Sequence, residues 1–294
     1  MGDGDLLQLF PDHNWELYDI ENKGSNIVQD TLLSPPDYTG KWVITNPPYL
    51  ARNKATDKTL FNKYKLDDLY KISMKTMLNA EGGILIIPTN FFTDERSGEI
   101  RKQFLSTFQI LQLNIFTNPV FETTTYSVCS FAFKRKMNTQ QEIPVSIQPE
   151  MINTNINLNI QYDYRIAGEF YNQLNSVKIQ FGRLMEVPDP NIYTTHIKLY
   201  AIDTRTDLIR VEYNEELFYG KDTDRTYATL TCKFPLTKDQ EMILIDEFNT
   251  RLTDFRKQYH NLSMTNYRDY NRKRIGFTFA YQLMSLIYKE KFDK

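Results

Sequence analysis

Trp42-Val43-Ile44-Thr45 runs as a short apolar strand into Asn46-Pro47-Pro48-Tyr49, and these four residues are the part of the chain best equipped for chemistry. Two prolines cannot continue a hydrogen-bonded ladder, so the strand must stop there and present Asn46 and Tyr49 at its carboxyl end. In an open α/β sheet that edge is where ligands bind. An amide acceptor, a fixed carbonyl at Pro47 and an aromatic face at Tyr49 suit a planar group that carries an exocyclic NH2. Such a nitrogen is a poor nucleophile because its lone pair is delocalised into the ring. Two acceptors on its hydrogens favour a pyramidal nitrogen whose lone pair can attack an electrophilic carbon. This is catalysis by positioning and charge complementarity, and it needs no metal and no covalent intermediate.

The plainer reading is a strand-ending turn with no chemistry, and a four-residue match by itself carries false positives. The surroundings weigh on the choice. Trp15-Glu16-Leu17-Tyr18-Asp19-Ile20 reads as an earlier strand bearing Asp19 near its end, and Ile27-Val28-Gln29 as another closed by Asp30. An acidic residue in such a place holds a ribose hydroxyl in many α/β cofactor domains. Taken singly, a solvated strand-end carboxylate is its commoner fate. Two of the eleven glycines, Gly2 and Gly4, fall in the first four residues. Glycines at that spacing let a backbone turn tightly and approach a ligand. Farther on, Val120-Phe121 precedes Thr123-Thr124-Thr125 and a β-rich run from Tyr126 to Phe133.

Asn46-Pro47-Pro48-Tyr49 resembles the catalytic motif of the adenine-N6 DNA methyltransferases. The resemblance is specific over residues 2–134 and diffuse beyond. It implies methyl transfer from S-adenosylmethionine to an adenine flipped out of double-stranded DNA, with Asn46 and Pro47 accepting from the amine and Tyr49 stacking on the base. Flipping costs a few kcal/mol and stacking returns about 1–3 kcal/mol. It further implies that Phe121 walls the base from the other side, with a hairpin-core Phe as the competing reading. Gly2 and Gly4 would be the second half of the cofactor loop, Asp19 the ribose partner, Asp30 a contact to the cofactor's adenine amine, and Asn46 would border the cofactor as well. The order of cofactor loop, catalytic motif and recognition domain is that of the γ arrangement, seen in restriction-modification and viral methylases. By the same resemblance the first strand lies ahead of Met1. The chain alone is therefore expected to bind S-adenosylmethionine weakly, since ordering a loose terminus costs about 1–2 kcal/mol per residue. Cytosine-N4 enzymes tend to carry Ser at the place of Asn46. Glutamine-N5 methyltransferases of release factors share the motif but end soon after the sheet, and an inactive DNA-binding fragment is the reading outside enzymes.

The expected fold class is α/β: a Rossmann-like class I methyltransferase sheet, N-terminally truncated, with an α+β C-terminal target-recognition domain. At 294 residues the chain exceeds the size at which one core usually stops growing, so domains of 1–149 and 150–294 are expected. After the motif, residues 51–64 are polar and lysine-bearing, and read as a loop that orders over substrate or is merely solvated. Helices are expected over 66–78 and 100–108, and strands over 84–87 and 110–116. This alternation predicts a parallel sheet with an antiparallel hairpin at its edge. An apolar helix fits 277–288, and residues 161–181 show no clear pattern.

A formal charge of −2 removes whole-protein attraction to nucleic acid, so any DNA contact must be a local patch. Between Arg251 and Arg274 there are seven Lys or Arg against two Asp. Arg268, Arg272, Lys273 and Arg274 crowd together with Tyr267 and Tyr270, a mixture that suits phosphate contact with adjacent base packing. A basic run is otherwise most often a solvated face. Only Cys129 and Cys232 are present, and His13, His196 and His260 have no ligand spacing. These features fit a reducing interior and no metal site. Without an apolar run near 18 residues, a soluble cytoplasmic protein is expected. A cognate restriction endonuclease of shared specificity is the expected protein partner.

Overall fold

The computed structural model describes residues 6, 8, 11–24, 26–122, 126–137, 142–267 and 271–293. The chain divides into two compact units, Met1–Arg165 and Ile166–Lys294.

In the first unit, β1 (Tyr18–Asp19) and β2 (Ile27–Val28) form a short parallel pair. The catalytic candidate strand β3 (Trp42–Thr45) belongs to a different sheet, six strands wide and mixed. Its members are β4 (Gly82–Pro88), β5 (Phe108–Phe116), β6 (Val128–Arg135), β7 (Glu142–Gln148) and β8 (Ile152–Asn157), in the order β3-β4-β6-β5-β7-β8. Only β3–β4 and β5–β7 are parallel. The sheet is thus less parallel than the alternation suggests, and β6 lies inside it, antiparallel to both β4 and β5. The reason is apolar: Cys129, Phe131 and Phe133 alternate along β6 and are fully buried, as are Leu85 and Ile87 of β4 beside them. An edge position would leave that stripe half covered. The expected division near residue 150 falls within the β7–β8 hairpin, and the first compact unit continues to Arg165.

The glycine pair at the start of β4 has a specific task. A Cβ on Gly83 would meet the Val43 carbonyl at 2.0 Å, and one on Gly82 would meet the Trp42 ring at 2.7 Å. These contacts let β3 lie against β4 and so set the height of the turn that follows β3.

Three helices belong to this unit: α1 (Thr59–Tyr64), α2 (Leu69–Thr76) and α3 (Gly98–Thr107). Helix α1 lies in the segment expected to be a loop; Asp57 nucleates it by accepting from the backbone and hydroxyl of Thr59. Phe104 of α3 packs on Phe108 and Phe133 at 4.8 and 5.0 Å between ring centroids, which ties helix to sheet. Each such fully buried aromatic contributes about 1.5–3 kcal/mol.

The second unit contains α4 (Gly168–Asn175) and a four-stranded antiparallel sheet of β9 (Phe181–Arg183), β10 (Tyr193–Tyr200), β11 (Arg210–Tyr213) and β12 (Tyr227–Cys232). The long helix α5 (Lys238–Gln258) follows, then a hairpin of β13 (Thr265–Asn266) and β14 (Lys273–Arg274), and α6 (Phe277–Phe292). Helix α5 begins with a capping box between Thr237 and Gln240. Its core face is Leu244, Phe248, Leu252 and Phe255. No helix among the described residues is long and apolar enough to cross a membrane.

Candidate active site

Strand β3 ends at Thr45, and the chain then leaves the sheet through Asn46, exposed, and Pro47, buried. Neither residue's carbonyl accepts a backbone hydrogen bond among the described residues. The Asn46 side chain and the Pro47 carbonyl thus lie just beyond the carboxyl end of β3, next to each other in the chain.

Tyr49 closes the turn in a way the sequence did not reveal. Its hydroxyl lies 2.5 Å from Asn46 Oδ1 and 2.8 Å from the carbonyl of Ile86 on β4. Its ring meets Tyr70 of α2 edge-on at 6.4 Å. Burial raises the Tyr49 phenol well above its ordinary value, so it stays a neutral donor. A hydroxyl has one proton and cannot serve both acceptors fully. The tyrosine thus acts as a strut between the Asn46–Tyr49 turn and the neighbouring strand. In this arrangement its hydroxyl holds the asparagine, whereas the sequence suggested only an aromatic face.

The residues after the turn are tied down next to it. Arg52 N donates to the Asp67 carbonyl, Leu69 N to the Leu50 carbonyl, and Ala51 bridges Asp68. Asp68 sits at the start of α2 with Oδ1 buried and without a hydrogen-bond partner. Burial raises its carboxyl to about 6. Beyond β4, the turn Thr89–Phe92 is pinned by Arg101, a guanidinium 1% exposed that donates to the carbonyls of Phe91 (2.7 Å), Asp94 (3.0 Å) and Asp163 (2.6 Å). Three carbonyls replace its water shell, and burial lowers its pKa to about 10. Arg101 has no sequence signal apart from being a charge on the apolar side of α3.

The other candidates fall in several places. Phe121 is half-buried in the segment leading to β6, and Tyr126 of the same segment receives a hydrogen bond from Lys54 at 3.4 Å, which links it to the post-motif loop. Asp19 and Asp30 stand at and just beyond the carboxyl ends of β1 and β2, which are neighbours. Asp19 accepts from Glu21 N, and Asp30 Oδ1 from Leu32 N and Leu33 N. Gly2 and Gly4 lie outside the described residues, as does Arg268.

In the second unit the expected phosphate contacts separate. Lys273 is 3% exposed, its ammonium donates to the side chains of Asn266 and Asn271, and its backbone N donates to Asp203. It turns inward because two amide oxygens and a buried carboxylate satisfy it there, so it is not a surface cation. Arg272 lies over the Tyr267 ring at 5.7 Å, and Arg274 pairs with Thr265; both are half-buried. Arg256, counted in the same basic stretch, forms a buried two-pronged ion pair with Asp203 at 2.8 Å in each arm.

Among solved structures, the chain is similar to a modification subunit assigned to a type I restriction enzyme from Vibrio vulnificus YJ016, at 12% identity over 41% of this chain and 28% of that one, with a TM-score of 0.34. It is also similar to a protein from Listeria monocytogenes assigned to the class I S-adenosylmethionine-dependent methyltransferases, at 12% identity, 40% and 42% coverage and a TM-score of 0.32. A third is the type IIL restriction-modification enzyme MmeI in complex with DNA, at 14% identity, 56% and 24% coverage and a TM-score of 0.34. The chain thus spans well under two thirds of the length of each. The profile of the N-6 DNA Methylase family matches residues 9–162, more than half of the chain and a span that contains the whole Asn46–Tyr49 turn. The chain belongs to the N-6 DNA Methylase family.

Proposed function

We propose that this chain transfers a methyl group from S-adenosylmethionine to N6 of an adenine in DNA. The observation that carries the reading is the Asn46–Tyr49 turn at the end of β3, in which the Tyr49 hydroxyl braces the Asn46 side chain against β4.

The flipped adenine would place its amine hydrogens on Asn46 Oδ1 and the Pro47 carbonyl. Each acceptor withdraws a hydrogen from the ring plane, and the nitrogen lone pair becomes available. With the amine so held, its lone pair would be free to take the methyl carbon as that carbon's bond to sulfur breaks, and one amine hydrogen would leave as a proton to solvent. Tyr49 fits this sequence as a positioning residue. A half-turn of the Asn46 amide would set Nδ2 against the tyrosine oxygen, send the hydroxyl proton to Ile86, and leave Oδ1 facing the amine. The stabilisation is electrostatic and preorganised, so it needs no reorganisation during the reaction.

The cofactor would lie along the carboxyl ends of β1 and β2. The donor set fits: Asp19 and Asp30 are adjacent strand-end carboxylates, and only Oδ1 of Asp30 is used by its own turn, leaving Oδ2 for an amine or hydroxyl donor. When bound, S-adenosylmethionine supplies an electrophilic sulfonium methyl. Adenine as the base, DNA as the carrier and a cognate restriction endonuclease as partner all belong to this proposal. Incubation with labelled cofactor and unmethylated DNA tests it. Asn46→Ala should abolish transfer while DNA binding persists, and full transfer by that variant would remove Asn46 from the mechanism.

A further inference from the structure

The segment from Ala51 to Lys65 carries Arg52, Lys54, Lys58, Lys63 and Lys65 against one acid, Asp57. All five cations are exposed. Among the described residues none of the five is in ion-pair contact with a carboxylate. Arg52 donates to the Asn62 side chain, Lys54 to the Tyr126 hydroxyl and Lys63 to the Leu33 carbonyl, all neutral groups. Asp57 is committed to Thr59 at the start of α1, and the nearby Asp67 is held by Lys71 at 2.7 Å.

Several other surface cations of the same unit do have acidic partners. Lys41 pairs with Glu16, Arg96 with Asp94, Lys102 with Asp163 and Arg135 with Glu81. A surface that leaves five like charges uncompensated within fifteen residues carries self-repulsion, which a polyanion would relieve. The segment is also fixed in place: the Leu50–Arg52 backbone is bonded to Asp67–Leu69, one residue after the Asn46–Tyr49 turn.

We infer that the Arg52–Lys65 segment is a phosphate-contacting surface, which holds the DNA backbone beside the catalytic turn while the target base is presented to Asn46. The inference rests on the proposed DNA methylation and adds where the catalytic unit grips its substrate. Phosphate contacts position without reading sequence, so this surface would contribute affinity and register, not choice of site.

The test is a salt titration of duplex DNA binding by the whole chain. In Lys54→Gln/Lys58→Gln/Lys63→Gln, the magnitude of the slope of log affinity against log salt should fall by about three units, close to one per released counterion. A control variant, Lys41→Gln/Lys102→Gln/Arg135→Gln, removes the same number of charges from cations already paired with acids and should change the slope by less than about one unit. All six positions are on the surface, and a melting temperature within a few degrees of the parent's would confirm that each variant folds. Equal slope changes in the two variants would mean that net charge alone is at work and would overturn the inference. So would an unchanged slope in the first variant, and if the parent protein still methylates DNA the proposed function would stand. A parent protein that binds no DNA at all would overturn both.

Discussion

The post-motif segment of the first unit and the β13–β14 hairpin of the second are both short and basic, yet their cations meet opposite fates. In the hairpin Lys273 is drawn inside by Asn266 and Asn271, and Arg272 lies over a tyrosine ring. In the Ala51–Lys65 segment the cations stay exposed and touch only neutral groups. The hairpin is the denser run in sequence and looks the better nucleic-acid contact. What decides is whether neighbouring side chains take up the charge, as Asn266 and Asn271 do for the Lys273 ammonium and as Asp203 does for Arg256.

The sharpest way to break this contrast is at Asp203. It receives both arms of Arg256 and the backbone N–H groups of Ile209 and Lys273. Asp203→Ala leaves Arg256 buried without its partner and should cost about 3–5 kcal/mol in chemical denaturation. A loss under about 1 kcal/mol would mean that the Asp203–Arg256 pair behaves like a solvated surface pair and does not hold this unit together.

On the catalytic side, Asp68 gives a pH signature. Its carboxyl is raised to about 6 by burial, with Lys71 opposing and Asp67 reinforcing the shift. Because the folded state holds the proton more tightly than the unfolded chain, its favourable contribution is complete below about pH 4 and is lost as pH rises through about 6. Asp68→Asn keeps the size and shape of the side chain and removes its titration. It should therefore gain on the parent protein by about 2–3 kcal/mol between pH 4 and pH 7, read from denaturation midpoints. A difference independent of pH would contradict the burial argument.

Tyr49→Phe keeps the ring and removes the strut to Asn46 and Ile86. A hydrogen bond of about 1 kcal/mol predicts a loss of roughly fivefold in turnover at saturating DNA, while the fluorescence of a flipped adenine analogue stays close to that of the parent. Loss of the flipping signal instead would return Tyr49 to a purely stacking role. The smallest effect belongs to the hairpin: Arg274→Gln should reduce the salt slope by no more than about one unit.

The end of β3 was legible because prolines end strands through local geometry, which places Asn46 and Tyr49 just beyond it. The bond from Tyr49 to Ile86 was not, since it depends on which strand lies beside β3. The place of β6 inside the sheet was hidden for the same reason: strand order is set by pairing across the fold, and alternation of Phe131 and Phe133 reveals only that a face is buried. Helix α5 carries its own local signals: Thr237 and Gln240 form a capping box, and Leu244, Phe248, Leu252 and Phe255 repeat at helical spacing. The inward turn of Lys273 is not legible in the sequence, because Asn266 and Asn271 look like ordinary turn residues and only the hairpin brings their oxygens onto one ammonium.

The central claim is that the Asn46–Tyr49 turn directs a methyl group to the amino nitrogen of adenine. Digestion of DNA to nucleosides after incubation with S-adenosylmethionine and the protein, followed by mass spectrometry, measures this directly. The account predicts N6-methyladenine with the parent protein at saturating cofactor and none with Asn46→Ala. Methylated cytosine in place of N6-methyladenine, no methylated nucleoside at all, or an equal yield from Asn46→Ala would contradict it.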